Sequence, residues 1–196
     1  MQKVQLQNLL ENYINDVQEK IAKTDFSSLA QISEIILNAK ERGTTIFTIG
    51  NGGSAATASH ICNDLLKGCA VCGHTGFKAE CLCDSSAVIT CLSNDFDYES
   101  VFSIQLETKA KAGDVVIAYS GSGNSPNIIK GLLTARKLGL TTIGLSGRDG
   151  GKMKELCDVI VIAPTEHMGQ IEDFHCLYSH ALSSVLASAL TERYSK

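Results

Sequence analysis

Positive charge is in short supply. The chain has 17 lysines and arginines against 21 acids, a net charge of −4, which leaves no electrostatic footprint for nucleic acid. Long apolar runs are missing as well: none approaches the ~18 residues of a membrane span. Met1-Gln2-Lys3 opens onto an amphipathic pattern rather than the apolar stretch of a signal peptide. Together these absences predict a cytoplasmic protein that binds neither nucleic acid nor membrane. Eight cysteines without a leader read as reduced thiols rather than a disulfide framework. Cys69, Cys72, His74, Cys81 and Cys83 lack the second Cys-x-x-Cys knuckle of a structural zinc site, and Cys81 and Cys83 alternate onto one face of a predicted strand. Also absent are G-x-G-x-x-G and the Gly-Lys-Ser/Thr ending of a P-loop, so a nucleotide is not the expected ligand. Of only two prolines, Pro126 suits a first helical turn and Pro164 opens a loop.

Two loops carry most of the information that is present. The β-rich run 44–49 stops at Gly50-Asn51-Gly52-Gly53-Ser54, after which a helical pattern begins. This reads as a buried parallel strand, a tight turn and a helix start whose unpaired N–H groups and positive dipole end suit an anion. Ser54 stands where a helix cap or first-turn hydroxyl would, able to cap the helix or to donate to a phosphate oxygen. The design recurs after strand 115–119, where Ser120-Gly121-Ser122-Gly123-Asn124-Ser125 precedes a helix from 128, with Ser125 as its expected cap. Hydroxyls and backbone N–H groups converge with no lysine or arginine among them, which suits a phosphate monoester held by neutral donors.

The rest of the chain alternates strand and helix. Helices are expected at 4–21, 29–40, 87–92, 104–111, 128–138 and 168–194, and strands at 44–49, 78–83, 115–119, 141–145 and 159–163, with a short helix after 151. Asn94-Asp95 is expected to break the helical segment 87–92. The pattern predicts one α/β domain over 1–196: a three-layer, doubly wound, five-stranded parallel sheet of flavodoxin-like form with two extra N-terminal helices. Ligands to such a sheet bind beyond the carboxyl ends of its strands, where both serine-bearing loops would lie. Residues 1–42 are more helix than a minimal unit needs and are expected to pack against another subunit. His60 and Asp64 lie four apart on one helix face, a spacing compatible with metal binding, acid/base work or an ordinary surface pair. Glu172, Asp173, His175 and His180 interrupt the apolar face of the last helix; the acids suit its N-terminal dipole, and the histidines are either functional or hydrogen-bonded in the core.

With these residues in hand, the chain resembles the sugar isomerase (SIS) domain family, and within it the phosphoheptose isomerases. The resemblance covers nearly the whole chain. It rests on Gly50 to Ser54 with His60, on Asn94-Asp95-Phe96, on Ser120 to Ser125, on Gly144 to Gly151, and on a last helix carrying His180. It implies an aldose–ketose isomerase of a phosphorylated sugar, converting sedoheptulose 7-phosphate to D-glycero-D-manno-heptose 7-phosphate through an enediol. An isomerase of a pentose or hexose phosphate and a non-catalytic phosphosugar-binding regulator are the alternatives. By resemblance, Ser54, Ser120, Ser122 and Ser125 hold the phosphate, and Asn51, Gly52, Gly53, Gly121 and Asn124 complete the two loops. Ser85, Asn94 and Asp95 meet sugar hydroxyls. His60, Asp64, Glu172 and His180 hold one zinc per subunit, Asp64 or Glu172 is the base, and His180 is the acid. The resemblance also implies a homotetramer. Three positions depart from the family pattern: Asp64 where it has glutamate, Glu172 where it has glutamine, and Gly121 where it has threonine.

Overall fold

The computed structural model describes residues 3–195, so residues 1, 2 and 196 of the expected domain lie outside it. Its helices are α1 (Lys3–Ile21), α2 (Phe26–Arg42), α3 (Gly53–Asn63), α4 (Ser86–Asp95), α5 (Ser103–Lys109), α6 (Pro126–Lys137), α7 (Met153–Leu156) and α8 (Met168–Tyr194). The strands are β1 (Thr45–Ile49), β2 (Lys78–Cys81), β3 (Val115–Ser120), β4 (Thr141–Ser146) and β5 (Val159–Ile162). All strand pairs are parallel, in the order β2-β1-β3-β4-β5.

Strand alternation sends every second side chain to the opposite face, and the sheet buries both. Ile46, Ile117, Tyr119, Ile143 and Val161 meet Ile32 and Ile36 of α2, Ile61 of α3, and Phe174 and Leu186 of α8. Phe47, Ile49, Val116 and Ala118 turn the other way, onto Leu106 of α5 and Ile128 and Leu132 of α6. Chain order reverses between β1 and β3, which makes the crevice beyond their carboxyl ends the ligand site of a doubly wound sheet. Both serine-bearing loops leave from those two ends.

Several element boundaries differ from the sequence reading, each for a local reason. β2 is an edge strand and stops at Cys81, although Leu82 N still donates to Thr48 O at 3.0 Å. Cys83 has left the strand, and its thiol donates to Gly50 O at 3.3 Å. Asn94 and Asp95 do not break α4; they are its last residues, and Phe96 N closes it onto Leu92 O. The seven-residue α5 begins after a 3₁₀ turn at Tyr98–Ser100 and ends at Lys109. α3 widens into a π-helical turn at Asp64–Gly68, so Asp64 stands where the helix changes pitch.

The cysteines are all free. Burial pushes the Cys62 thiol up to about 12 and Cys69 to about 11. His74 stacks on Tyr194 with ring centroids 3.9 Å apart and does not join a thiol cluster. Among the described residues no helix is long and apolar enough to cross a membrane. α1 buries none of its residues; Val4, Leu9, Leu10 and Ile14 are each more than half exposed. A polar tether holds it to the start of α8: Lys20 Nζ donates to Gln170 Oε1 at 3.0 Å, and Gln170 Nε2 donates to Asp16 Oδ2 at 2.7 Å.

Under the sheet, buried Asp114 accepts from Thr45 N and Lys111 N, both at 2.8 Å, and so ties the start of β1 to the start of β3. Asp114→Ala strands two backbone donors, each costing about 1–3 kcal/mol. The urea midpoint of this variant should fall well below that of Asp114→Asn, whose amide oxygen keeps one acceptor; equal midpoints would show that the carboxylate has no structural part.

Candidate active site

The site forms where α8 lies against α3. Met168, Glu172, Cys176 and His180 are spaced four apart, so they form one stripe along α8. On the other side stand Gly53, His60 and Asp64. The N-terminal end of the stripe approaches so closely that side chains opposite it are excluded. A Cβ on Gly53 would stand 2.4 Å from Glu172 Oε1, one on Gly121 2.6 Å from Met168 Sδ, and one on Gly147 2.4 Å from Ile171 Cδ1.

At this end lies an open pocket of about 130 Å³, lined by Asn51, Ser54, Ser120, Gly121, Ser122 and Ser125, with Tyr119, Met168 and Glu172 closing it. Gly52 takes the cap position of α3 at φ 55° and brings no side chain, so no side chain caps Gly53 N or Ser54 N, while Ala55 N donates to Gly52 O at 3.0 Å. Ser54 therefore stands inside the first turn, not at its cap. Ser125 does occupy the cap position of α6, yet its hydroxyl makes no capping bond; it sits 3.4 Å from Ser120 Oγ, facing the pocket. Acids are favoured at a helix N-terminus, and the Glu172 carboxylate rests against the first residue of α3.

Polar cross-ties fix the two loops. Asn51 and Asn127 exchange amide hydrogen bonds, both 2.8 Å, and Tyr98 Oη donates to Asn51 Oδ1 at 2.9 Å. Asn127 and Tyr98 were not singled out by sequence; only the reversed chain order that sets the β1 and β3 loops side by side reveals the first. Asn124 is also a tie rather than a pocket wall: its amide donates to Ser122 O at 2.9 Å and accepts from Lys152 N at 3.1 Å.

Three residues expected at the sugar do not line this pocket. Ser85 caps α4, accepting from Val88 N at 3.3 Å. Asn94 and Asp95 hydrogen-bond each other at 2.8 Å on the exposed last turn of that helix. The pocket lining of this chain includes none of the three.

At the far end of the stripe, His180 Nε2 and His60 Nε2 are 3.2 Å apart, and His60 Nε2 is 3.9 Å from Asp64 Oδ1. Ser183 Oγ donates to the other Asp64 oxygen at 3.4 Å. Two nitrogens each ~2.0–2.1 Å from a tetrahedral ion stand about 3.3–3.4 Å apart, so the imidazole pair fits a divalent metal. Among the described residues, the compact metal-capable set is His60, Cys176 and His180, with one donor atom from each within 4.8 Å of the others. Of the expected set, His60, Asp64 and His180 stand together here, Glu172 lies against Gly53, and Cys176 is beside the histidines. His175 belongs to the core. It is fully buried, its Nε2 is 3.1 Å from Ser146 O, and burial holds its pKa down to about 4, which keeps it neutral.

A doubly wound sheet with a cation-free serine cradle at its switch point and a histidine pair along the same groove marks a sugar-phosphate-handling domain. The chain belongs to the SIS domain family, whose profile matches residues 11–147. Within that family it belongs with the phosphoheptose isomerases, which are sugar-phosphate isomerases. It is 39% identical to the phosphoheptose isomerase of Aliarcobacter butzleri over 88% of this chain and 90% of that protein. The phosphoheptose isomerase of Mycobacterium tuberculosis is 35% identical, with 81% of each chain covered. The solved phosphoheptose isomerase of Neisseria gonorrhoeae superposes with a TM-score of 0.86 at 29% identity, covering 93% of this chain and 99% of that one.

The cradle's shape rests on Gly123, at φ 63°, where a Cβ would stand 2.0 Å from Gly150 O. Gly123→Ala adds about 1 kcal/mol or more for the left-handed conformation and forces two loop backbones apart. Scanning calorimetry should show a lower midpoint, and amide exchange should quicken at Asn124 and Lys152. Wild-type values for both would mean that the loops separate at no cost.

Proposed function

We propose that this protein is an aldose–ketose isomerase acting on sedoheptulose 7-phosphate, and that the α3–α8 groove holds substrate lengthwise. The observation that carries the reading is the arrangement of a phosphate cradle and a histidine–carboxylate cluster at the two ends of one helix stripe. Ser54, Ser120, Ser122 and Ser125, with the open N-terminus of α3, bind the phosphate. Asn51, held by Asn127 and Tyr98, meets a hydroxyl, and the chain between reaches toward His180.

Isomerisation moves one carbon-bound proton and two oxygen-bound protons. Asp64 is the carboxylate beside the histidines; it takes the proton from C1 as the C2 carbonyl oxygen gains one, giving the enediol. Loss of the proton on O1 and return of a proton from Asp64 to C2 then gives the aldose. With no metal on their Nε2 atoms, His180 and His60 trade the oxygen-bound protons. Glu172 is nearer the phosphate and positions the chain between the ends. A divalent metal held by His60 and His180, zinc by its preference for nitrogen donors, supplies polarisation of the carbonyl when bound.

The exposed apolar residues of α1 support a second proposal, that this helix packs against other copies in a homotetramer. Deleting residues 1–23 should leave a smaller species in light scattering; a soluble tetramer without them would place the interface elsewhere.

The substrate reading is tested by Ser122→Ala combined with Ser125→Ala. Each lost donor to phosphate is worth roughly 1–3 kcal/mol, so KM for the sugar phosphate should rise about tenfold or more with kcat less affected. An unchanged KM would remove the phosphate from this loop.

A further inference from the structure

Cys176 has no part in the isomerisation described above, yet it lies on the active face of α8, midway between Glu172 and His180. It is half-buried, and its Sγ is 3.9 Å from His180 Nδ1. The ligand atoms of His60, Cys176 and His180 lie within 4.8 Å of one another. Glu172, the carboxylate expected in the ligand set, is packed on Gly53 at the other end of the groove.

We infer that Cys176 is a thiolate ligand, so that the metal in this chain sits in a His60–Cys176–His180 set. The inference rests on the metal-bearing reading of the site proposed above and changes the chemistry of its donors. Binding releases the thiol proton to water, and the thiolate supplies the negative charge that Glu172 does not. A sulfur ligand at ~2.3 Å beside two imidazoles selects zinc and softer ions over magnesium or manganese, which prefer oxygen. Three protein ligands leave a fourth position open to substrate oxygen or water, as in catalytic rather than structural zinc sites. Asp64, already bonded by Ser183, is then free of the metal and available for proton transfer.

The test uses the full chain, stripped of metal and titrated with cobalt(II). The wild type should show visible ligand-field bands together with a near-ultraviolet thiolate-to-cobalt charge-transfer band. Cys176→Ser should lose the charge-transfer band and weaken zinc binding by roughly tenfold or more; Cys72→Ser, which alters an exposed thiol, should change neither. Ligand-field bands without charge transfer would overturn the thiolate ligand and leave the histidine metal site standing. A charge-transfer band that persists in Cys176→Ser would assign the sulfur elsewhere and also overturn it. No cobalt binding at all would overturn both this inference and the metal reading, while the phosphate cradle would stand or fall on the serine variants. In the unaltered chain, zinc should slow iodoacetamide labelling of Cys176 about tenfold relative to Cys72, read by peptide mass spectrometry. Equal labelling with and without zinc would count against ligation irrespective of any effect of the serine substitution on folding.

Discussion

The approach of α8 to the carboxyl end of the sheet is the constraint from which the site follows. Its first turns lie directly on three residues that have no side chain, Gly53, Gly121 and Gly147, each with less than 3 Å of room for a Cβ. Contacts that close cannot be relieved by rotamer changes on the glycine side, and close-packed interiors transmit such a shift to their neighbours. The glycines thus set how deep the helix sits. Depth in turn decides that Glu172 reaches the end of α3 and that His180 meets His60 a little over two turns further along.

What the pocket offers an anion is geometry rather than formal charge. No lysine or arginine lines the pocket, so attraction comes from the open turn of α3 and from hydroxyls aimed by backbone. Such donors hold a phosphate only when they cannot relax away from it. The reciprocal Asn51–Asn127 amides and the Asn124 bridge to Lys152 supply that rigidity, joining the loops after β1, β3 and β4. Glu172 adds a negative charge to this neutral cradle and competes with the ligand for the same helix end.

The sequence by itself determined the parts with short-range causes. Strand alternation, the glycine and serine turns, Pro126 in the first turn of α6 and the apolar period of α8 are local signals, and they set the five parallel strands, the bounds of α8 and the two loops. His60 and His180 were also legible, through resemblance, as a pair. What only the tertiary structure decided are the long-range matters. Asn127 gained its role because β1 and β3 are neighbours, and Tyr98 because the 3₁₀ turn after α4 reaches Asn51. Ser85, Asn94 and Asp95, at the two ends of α4, fall outside the lining of this chain's pocket. Cys176 stands beside the histidines, and Glu172 packs on Gly53, because α8 comes to rest against α3 at a residue with no side chain. A side chain's residue type and spacing state which groups share a helix face; which end of that face meets a positive dipole, and which meets an imidazole, depends on where another helix, more than a hundred residues away in the chain, comes to rest.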